Sequence, residues 1–479
     1  MLKNKKIVLI IPPYKESKKG HLPLLSIGYI AAYLERGGYH VKIIDAIALN
    51  ISEYETVDLV LKENPDAAGI TTVTSSRFSA IKIIKLIKEK NKNLFIFAGG
   101  RHFHSVSKES LTDIPCLDLI VRGEGEETCL ELLNGYFEKK DLSEIRGLAL
   151  RKDGKIIFTP ERDAINLDAL PMPAWHLFDL SLYNQTLEGE KKTKAIGVIS
   201  SRGCPNNCVF CANNSFLRTL RLLSPAKFVD QIEFLNKNYG YTGFDIWDDT
   251  LTMSRKHILE ICDEIIKRNL KIIWYARARV NTVDYNVLKK MKEAGCGIIG
   301  YGIESGSEKV LKEIKKNITI KQAKDAVRLS AKLGFIIKCW FIYGLPGENF
   351  DDIKKTRKLM RQLKNYGALY GAKVLNFSNF PLLYPGTPLT ESSMQENIFP
   401  KDFRWSSEIF LEKNKKLGTD TTIPLYESRT FKIDEIIKYN KKYDRKISEL
   451  LQEFFYQVRQ IKNFETFRNF IKRFFKFVF

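Results

Sequence analysis

The residues best equipped for chemistry are three cysteines in the run SSRGCPNNCVFCANN, spaced Cys204-x3-Cys208-x2-Cys211. Thiolate is the natural ligand of iron in iron–sulfur clusters, and three thiolates on one short loop can hold three irons of a [4Fe–4S] cube. No fourth cysteine stands nearby, which leaves one iron open to bind a substrate or cofactor directly. The competing arrangement is a zinc knuckle completed by a distant ligand such as His176 or His257. Zinc loops usually pair two C-x2-C motifs, and only one such spacing is present here. Cys116, Cys129, Cys262, Cys296 and Cys339 read as small buried hydrophobes, and strand alternation leaves open whether Cys339 faces a cavity. His102 and His104 stand two apart with no cysteine or carboxylate pair close by, so they read as supporting histidines rather than metal ligands.

A chain of 479 residues suggests two to four domains, and its 44% hydrophobic and 11% aromatic content is that of a globular protein with cores. The formal net charge of +21 favours anionic partners such as nucleic acid, an acidic membrane or phosphorylated small molecules. The lysines are spread through most of the chain, however, which reads as a solvated surface. The opening MLKNKKIVLIIPPY has a short apolar run stopped by two prolines, unlike a secretory signal. No run approaches the roughly 18–20 apolar residues of a membrane span. A cytoplasmic protein is expected, and in a reducing compartment clustered cysteines bind metal rather than form disulfides.

Hydrophobic periodicity supplies the elements that must position these groups. Over residues 5–137, KIVLII, YHVKIID, AAGITTV, LFIFAGG and LDLIVRG predict strands. Between them, LLSIGYIAAYLERGG, YETVDLVLKEN and FSAIKIIKLIKEK predict amphipathic helices. This alternation predicts a doubly wound, Rossmann-like parallel sheet over 1–140, with ligands beyond the carboxyl ends of its strands. Pro12-Pro13, Thr71 to Ser76, Gly99-Gly100 and Gly123 to Gly125 fall at those ends. Residues 141–193 read as a linker with a β-hairpin around Asp153-Gly154. A second series over 194–385 runs AIGVISS, FDIWDD, KIIWYA, GIIGYGIE, FIIKCWFIYG and AKVLNFSNF. Six βα units predict a (β/α)6 partial TIM barrel, again with chemistry at the carboxyl ends. Residues 386–479 read as a mainly helical carboxyl-terminal region, giving an α/β protein overall.

Cys-x3-Cys-x-aromatic-Cys after the first strand of a βα series, with Phe210 as the aromatic, resembles the radical S-adenosylmethionine (SAM) superfamily. The resemblance continues through 195–390 and implies that SAM chelates the open iron. One-electron reduction then yields a 5′-deoxyadenosyl radical that abstracts hydrogen from unactivated carbon. It implies SAM contacts from Asp248 and Asp249 of FDIWDDT, which stand where Gly-Gly-Glu is commoner. It also implies contacts from Arg279 of ARARVN, from Glu304 and Ser305 of GYGIESGS, and from Ile342, Gly344 and Glu348 of FIYGLPGE. Read from the residues alone, capping of the helices that follow them is the alternative role for Asp248, Asp249 and Glu304.

The amino-terminal sheet resembles the cobalamin-binding domain fused ahead of many such enzymes, through IIPPY, LSIGYIAAYLERGGYHVKIID, GGRHFHS and DLIVRGEGEET. That resemblance implies cobalamin contacts from Pro12, Pro13, Thr72, Gly99, Gly100, His102, Gly123, Glu124 and Gly125. The Asp-x-His-x-x-Gly signature of a cobalt-ligating histidine is missing, and His21 lies outside any such pattern, so cobalamin would be held without a protein histidine on cobalt. A degenerate sheet that binds nothing is the alternative. Together the two resemblances imply a cobalamin-dependent radical SAM enzyme that methylates an unactivated carbon of a small-molecule, lipid or isoprenoid-like substrate. Cyclisation, oxidation or carbon–carbon coupling without methyl transfer, or a non-catalytic cobalamin and iron–sulfur sensor, are the alternatives. Methylthiolation of tRNA or protein fits poorly, because Cys116 and Cys129 are too few for that class's three-cysteine domain. A flavodoxin or ferredoxin is the implied electron donor, and nucleic acid is not an expected partner. The end, KNFETFRNFIKRFFKFVF, sets Phe464, Phe467, Phe470, Phe474, Phe475 and Phe477 among Arg468, Lys472, Arg473 and Lys476. That pattern predicts an interfacial amphipathic helix touching the inner membrane face, or a terminal helix docked on the barrel.

Overall fold

The computed structural model describes residues 4–14, 21–183, 185–187, 190–216, 218–396, 398–400, 402–417, 421–427 and 432–441. The chain falls into two compact units, 1–426 and 427–479.

The first sheet contains β1 (Lys6–Ile11), β2 (His40–Asp45), β3 (Ala67–Thr71), β4 (Phe95–Gly99), β5 (Leu119–Val121), β6 (Leu148–Lys152) and β7 (Lys155–Phe158). Their order is β2-β1-β3-β4-β5-β6-β7, with β1 to β5 all parallel. Residues Ile7 to Ile11 of β1 are buried because helices cover both faces of the sheet. The strand order reverses between β1 and β3, which opens a crevice at their carboxyl ends. The hairpin expected near Asp153-Gly154 forms, but it extends the sheet's edge antiparallel instead of standing apart as a linker. Its turn has φ of 50° at Asp153 and 74° at Gly154, the left-handed pair that a two-residue hairpin requires.

The second sheet follows as β8 (Gln185–Leu187) and β9 (Glu190–Val198), then a two-stranded antiparallel ribbon of β10 (Ser201–Arg202) and β11 (Arg221–Leu222) that lies outside it. The sheet resumes with β12 (Gly243–Ile246), β13 (Ile273–Ala278), β14 (Cys296–Glu304), β15 (Ile336–Ile342) and β16 (Val374–Asn379). The six strands β9 and β12 to β16 pair in sequence and in parallel, an open half-barrel of the predicted (β/α)6 kind. Helices such as Arg255–Lys267 and Ile320–Lys332 bury one stripe each against it. Gly197 on β9 lies beneath the Trp247 ring, where a Cβ would stand 2.9 Å from the indole.

Beyond β16, short helices Pro388–Gln395 and Phe410–Lys416 follow, and Leu382 bridges Leu425. In the second unit, 433–441 is helical. The Phe-rich basic stretch from 462 to 479, on which a membrane helix was expected, lies outside the described residues. No helix among the described residues is long and apolar enough to cross a membrane.

Candidate functional site

The three cysteines sit on a loop closed at its base by the β10–β11 ribbon, just past the carboxyl end of β9. The backbone turns tightly there, with the Cys211 N–H donating to the Cys208 carbonyl at 3.0 Å. Val209 between them is tied on both sides, donating to Ile314 at 3.1 Å and accepting from Leu389 at 3.0 Å. Burial pushes the Cys211 thiol up, and the nearby Cys208, Asp249 and Cys204 charges add to that effect. Ionising Cys211 here is therefore unfavourable without a metal, and metal coordination deprotonates a thiol outright. The sulfurs also receive donors. Asn206 Nδ2 lies 3.2 Å from Cys204 Sγ, and Arg279 Nη1 lies 3.8 Å from Cys208 Sγ. The loop thus fits an iron–sulfur cluster.

The two histidines that could complete a zinc site are engaged with other groups. His176 pairs with Glu35 at 3.1 Å, and His257 faces the Ser200 hydroxyl at 3.3 Å. Among the described residues, no three His, Cys, Asp or Glu side chains converge as they would on a single ion. A cubane places each thiolate on a different iron, so it needs no such convergence.

Beside this loop opens a cleft enclosing about 1400 Å³, its mouth included. One wall comes from the carboxyl ends of the first sheet, through Gly69, Gly99, Gly100 and Gly123 to Gly125. The other comes from the half-barrel, through Ser201 to Gly203, Trp247 and Asp249. Small residues keep it open. A Cβ on Gly123, at φ of 75°, would meet nothing within 4 Å. Gly100 is required for another reason, since at φ of 91° a Cβ would stand 2.5 Å from the Thr72 carbonyl. An apolar, glycine-floored cleft at the carboxyl edge of a Rossmann-like sheet fits a flat corrinoid. No histidine lines it.

Ionic contacts join the two walls. Arg202 donates to Glu124 Oε1 and to Glu126 Oε1, each at 2.7 Å, and stacks on the Tyr29 ring at 5.0 Å. Arg221 donates to Glu124 Oε2 at 2.6 Å. Burial alone would depress the Arg202 pKa, but Glu126 and Glu124 raise it on balance; burial opposes ionisation of Glu124, yet Arg221 and Arg202 hold its pKa below the usual range. The ribbon that closes the cluster loop is therefore bolted to the GEGE turn of the first sheet.

The other expected SAM contacts divide. Asp249 is exposed and lines the cleft. Asp248 faces the other way, and its buried carboxylate accepts from Ser200 N–H at 2.7 Å and the Ser200 and Ser201 hydroxyls at 2.6 and 2.5 Å. It braces the approach to the cluster loop and is not free for a ligand. Neither aspartate caps the helix at Arg255, whose cap is Ser254. Glu304, buried at the end of β14 with φ of 70°, pairs with Lys316 at 2.6 Å. A non-glycine residue held there is strained, a condition common at ligand sites. Ser305 turns inward to Thr356 at 3.3 Å and so holds the turn. Ile342 ends β15, half-buried. Gly344, at φ of 87°, donates its N–H to Glu348 at 2.6 Å. Phe210 packs half-buried in the core edge with Lys316 Nζ 6.0 Å above its ring.

Among the expected cobalamin contacts, Gly99, Gly100, Gly123, Glu124 and Gly125 line the cleft, and Pro12, Pro13, Thr72 and His102 do not. His102 lies on the inner side of the one-turn helix Arg101–Ser105, where Trp405 meets it edge-on at 5.9 Å. Burial and then Arg77 keep it well below the usual histidine pKa, so it is a core group. Thr72 is tied through its backbone, which donates to Gly99 and accepts from His102, while its buried hydroxyl has no hydrogen-bond partner among the described residues. Trp247, Arg101, Arg202 and Glu126 were not anticipated. The one available signal was Arg202 two residues before Cys204, with two glutamates in GEGE to receive it.

Glu348 makes the fold sensitive to pH. Burial pushes its carboxyl up to about 7, although it accepts from Gly344 and Leu345 N–H. The native state thus keeps a proton that the unfolded chain releases near the ordinary value of 4.5. Stability should fall by about 3 kcal/mol as pH rises from 4.5 to 7. Glu348→Gln, which mimics the protonated form, should abolish this slope and be the more stable protein at pH 8 in chemical denaturation.

Fold and site together define an enzyme with an iron–sulfur loop and a separate cofactor-binding sheet. The radical SAM superfamily model matches residues 198–360, and the B12 binding domain model matches 15–133. An uncharacterized methyltransferase of Pyrococcus horikoshii is 33% identical over 410 residues, covering 83% of this chain and 85% of its own. An anaerobic magnesium-protoporphyrin IX monomethyl ester cyclase of Rubrivivax gelatinosus is 31% identical over 351 residues, 71% of this chain and 62% of the cyclase. The radical SAM methyltransferase TsrM of Kitasatospora setae, solved with cobalamin and a [4Fe–4S] cluster, shares the fold at TM-score 0.67. Its identity is 17%, over 82% of this chain and 75% of TsrM. The chain belongs to the radical SAM superfamily, among members that carry a B12-binding domain.

Proposed function

We propose that this enzyme transfers a methyl group to an unactivated carbon of a small-molecule substrate, using a [4Fe–4S] cluster, SAM and cobalamin. One observation carries the reading: a single cleft is walled by the glycine turns of the B12-type sheet and by the residues leading into Cys204. When bound, the cluster with SAM supplies one-electron chemistry at carbon, and the corrinoid supplies a methyl carrier. Cys204, Cys208 and Cys211 would hold three irons. The exposed Asp249 carboxylate would accept hydrogen bonds from the SAM ammonium, and Glu304 from the ribose or amino-acid end. The glycines of the cleft admit a flat ring. An adjoining cavity is walled by Phe210, Cys211, Tyr384 and Pro385 and shares Arg101 and Asp249 with the cleft. We assign it to the substrate. A cytoplasmic setting, a flavodoxin- or ferredoxin-like donor, and contact of the Phe-rich tail with a lipid surface belong to the same proposal.

The test uses anaerobically reconstituted protein given methyl-deuterated SAM and reductant. It should release 5′-deoxyadenosine and return extractable corrinoid bearing the deuterated methyl. Corrinoid without labelled methyl would favour ring closure or coupling instead, and no 5′-deoxyadenosine would end the enzyme reading. Gly123→Leu fills the open floor at a cost of only about 1–2 kcal/mol for the left-handed backbone. It should fold, hold its iron and lose most of its corrinoid.

A further inference from the structure

We propose that Arg279, aided by Asn206, sets the reduction potential of the cluster by donating hydrogen bonds to the sulfurs of its ligands. Arg279 stands just past the end of β13 and is 6% exposed. Its guanidinium donates to the Lys316 carbonyl, to Asn281 Oδ1 at 3.4 Å and to Cys208 Sγ at 3.8 Å. Among the described residues no carboxylate pairs with it. A buried guanidinium without an anion is costly, and evolution normally supplies one. Here the neighbouring group able to carry negative charge is the Cys208 thiolate. The adjacent Lys316 ammonium differs, because Glu304 neutralises it at 2.6 Å. Among the described residues, Arg279 is thus the cation on the barrel side of the loop that no carboxylate compensates. Asn206 adds a neutral donor to Cys204 Sγ at 3.2 Å.

The physical consequence follows from charge. Reduction adds one electron from the external donor to a cluster already held by three thiolates, with no other bond made or broken. A cation and N–H groups at the sulfurs stabilise the more negative state, so they raise the potential. Arg279 is on this account a positioning residue for the electron, acting through Cys208 rather than on SAM. The inference rests on the reading that Cys204, Cys208 and Cys211 carry the cluster.

The experiment is potentiometry of the reconstituted full-length protein, followed by electron paramagnetic resonance with no substrate, alongside an iron count per chain. Arg279→Gln should lower the reduced-to-oxidised ratio at a fixed ambient potential about tenfold, a negative shift of about 59 mV for one electron. Arg279→Lys keeps the charge but not the fork, and should shift less than Arg279→Gln. Asn206→Ala should shift the potential in the same direction by a smaller amount. An unchanged potential in an Arg279→Gln protein with full iron content would overturn the proposal. If that variant fails to hold iron, Asn206→Ala decides, and an unchanged potential there overturns it. A wild-type protein with no [4Fe–4S] signal would instead refute the cluster assignment beneath it.

Discussion

Cys208→Ser is expected to strip the protein of its cluster while leaving it folded. The side chain is buried, and serine keeps its shape while replacing sulfur by a smaller oxygen. Arg279 keeps its bond to the Lys316 carbonyl, and the loop keeps its ties from Val209 to Ile314 and Leu389. Stability without iron should therefore change by no more than about 1 kcal/mol. Loss of a ligand is another matter. Altering groups that merely support a ligand typically costs 10–100-fold in metal affinity or activity, so removing the ligand should cost more than about 100-fold in SAM cleavage. Cys262→Ala is the control. Cys262 is equally buried, in the helix Arg255–Lys267, but its neighbours are core hydrophobes. It should lose a little stability to the small cavity and keep full iron content and SAM cleavage. If Cys208→Ser retained four irons per chain, the loop would not be the cluster site.

The contrast between these two cysteines also shows what could be read before the fold was seen. The cluster loop was legible because its chemistry is local: three thiols within eight positions need no tertiary partner to be recognised. The strand alternation was legible for a similar reason, since periodicity reports burial directly. Asp248 and Asp249 show the limit. They lie in the turn beyond β12, where no periodicity says which way a side chain points, and only the packing of Ser200 and Ser201 reveals which one turned away. His102 sits in a single helical turn too short to show a face, and its burial depends on Trp405, some 300 residues along the chain. The joint between Arg202 and Glu124 spans 78 positions and two sheets. No periodicity encodes such a pair.

That joint should contribute substantially to stability. Arg202→Met should destabilise the protein by about 3 kcal/mol, the lower end of what breaking a buried ion pair costs, because Arg221 still holds Glu124. Glu126 is the exposed nerve: its side chain is 3% accessible, and among the described residues Arg202 is its hydrogen-bond partner. The double variant Arg202→Met with Glu126→Gln removes the stranded charge and should recover much of the loss. The pH dependence has a definite sign. Glu124 is held below its ordinary 4.5 in the folded protein, so its contribution is full above 4.5 and disappears as pH falls through the folded value. The gap between wild type and Arg202→Met, measured by chemical denaturation, should accordingly be constant near neutrality and narrow in acid. Function should not recover with stability. The double variant still lacks the tie between the GEGE turn and the ribbon that closes the cluster loop, so it should retain its iron yet release corrinoid more readily than wild type. A double variant that recovered both would reduce the joint to a fold-stabilising contact, with no part in holding the two cofactors to one cleft.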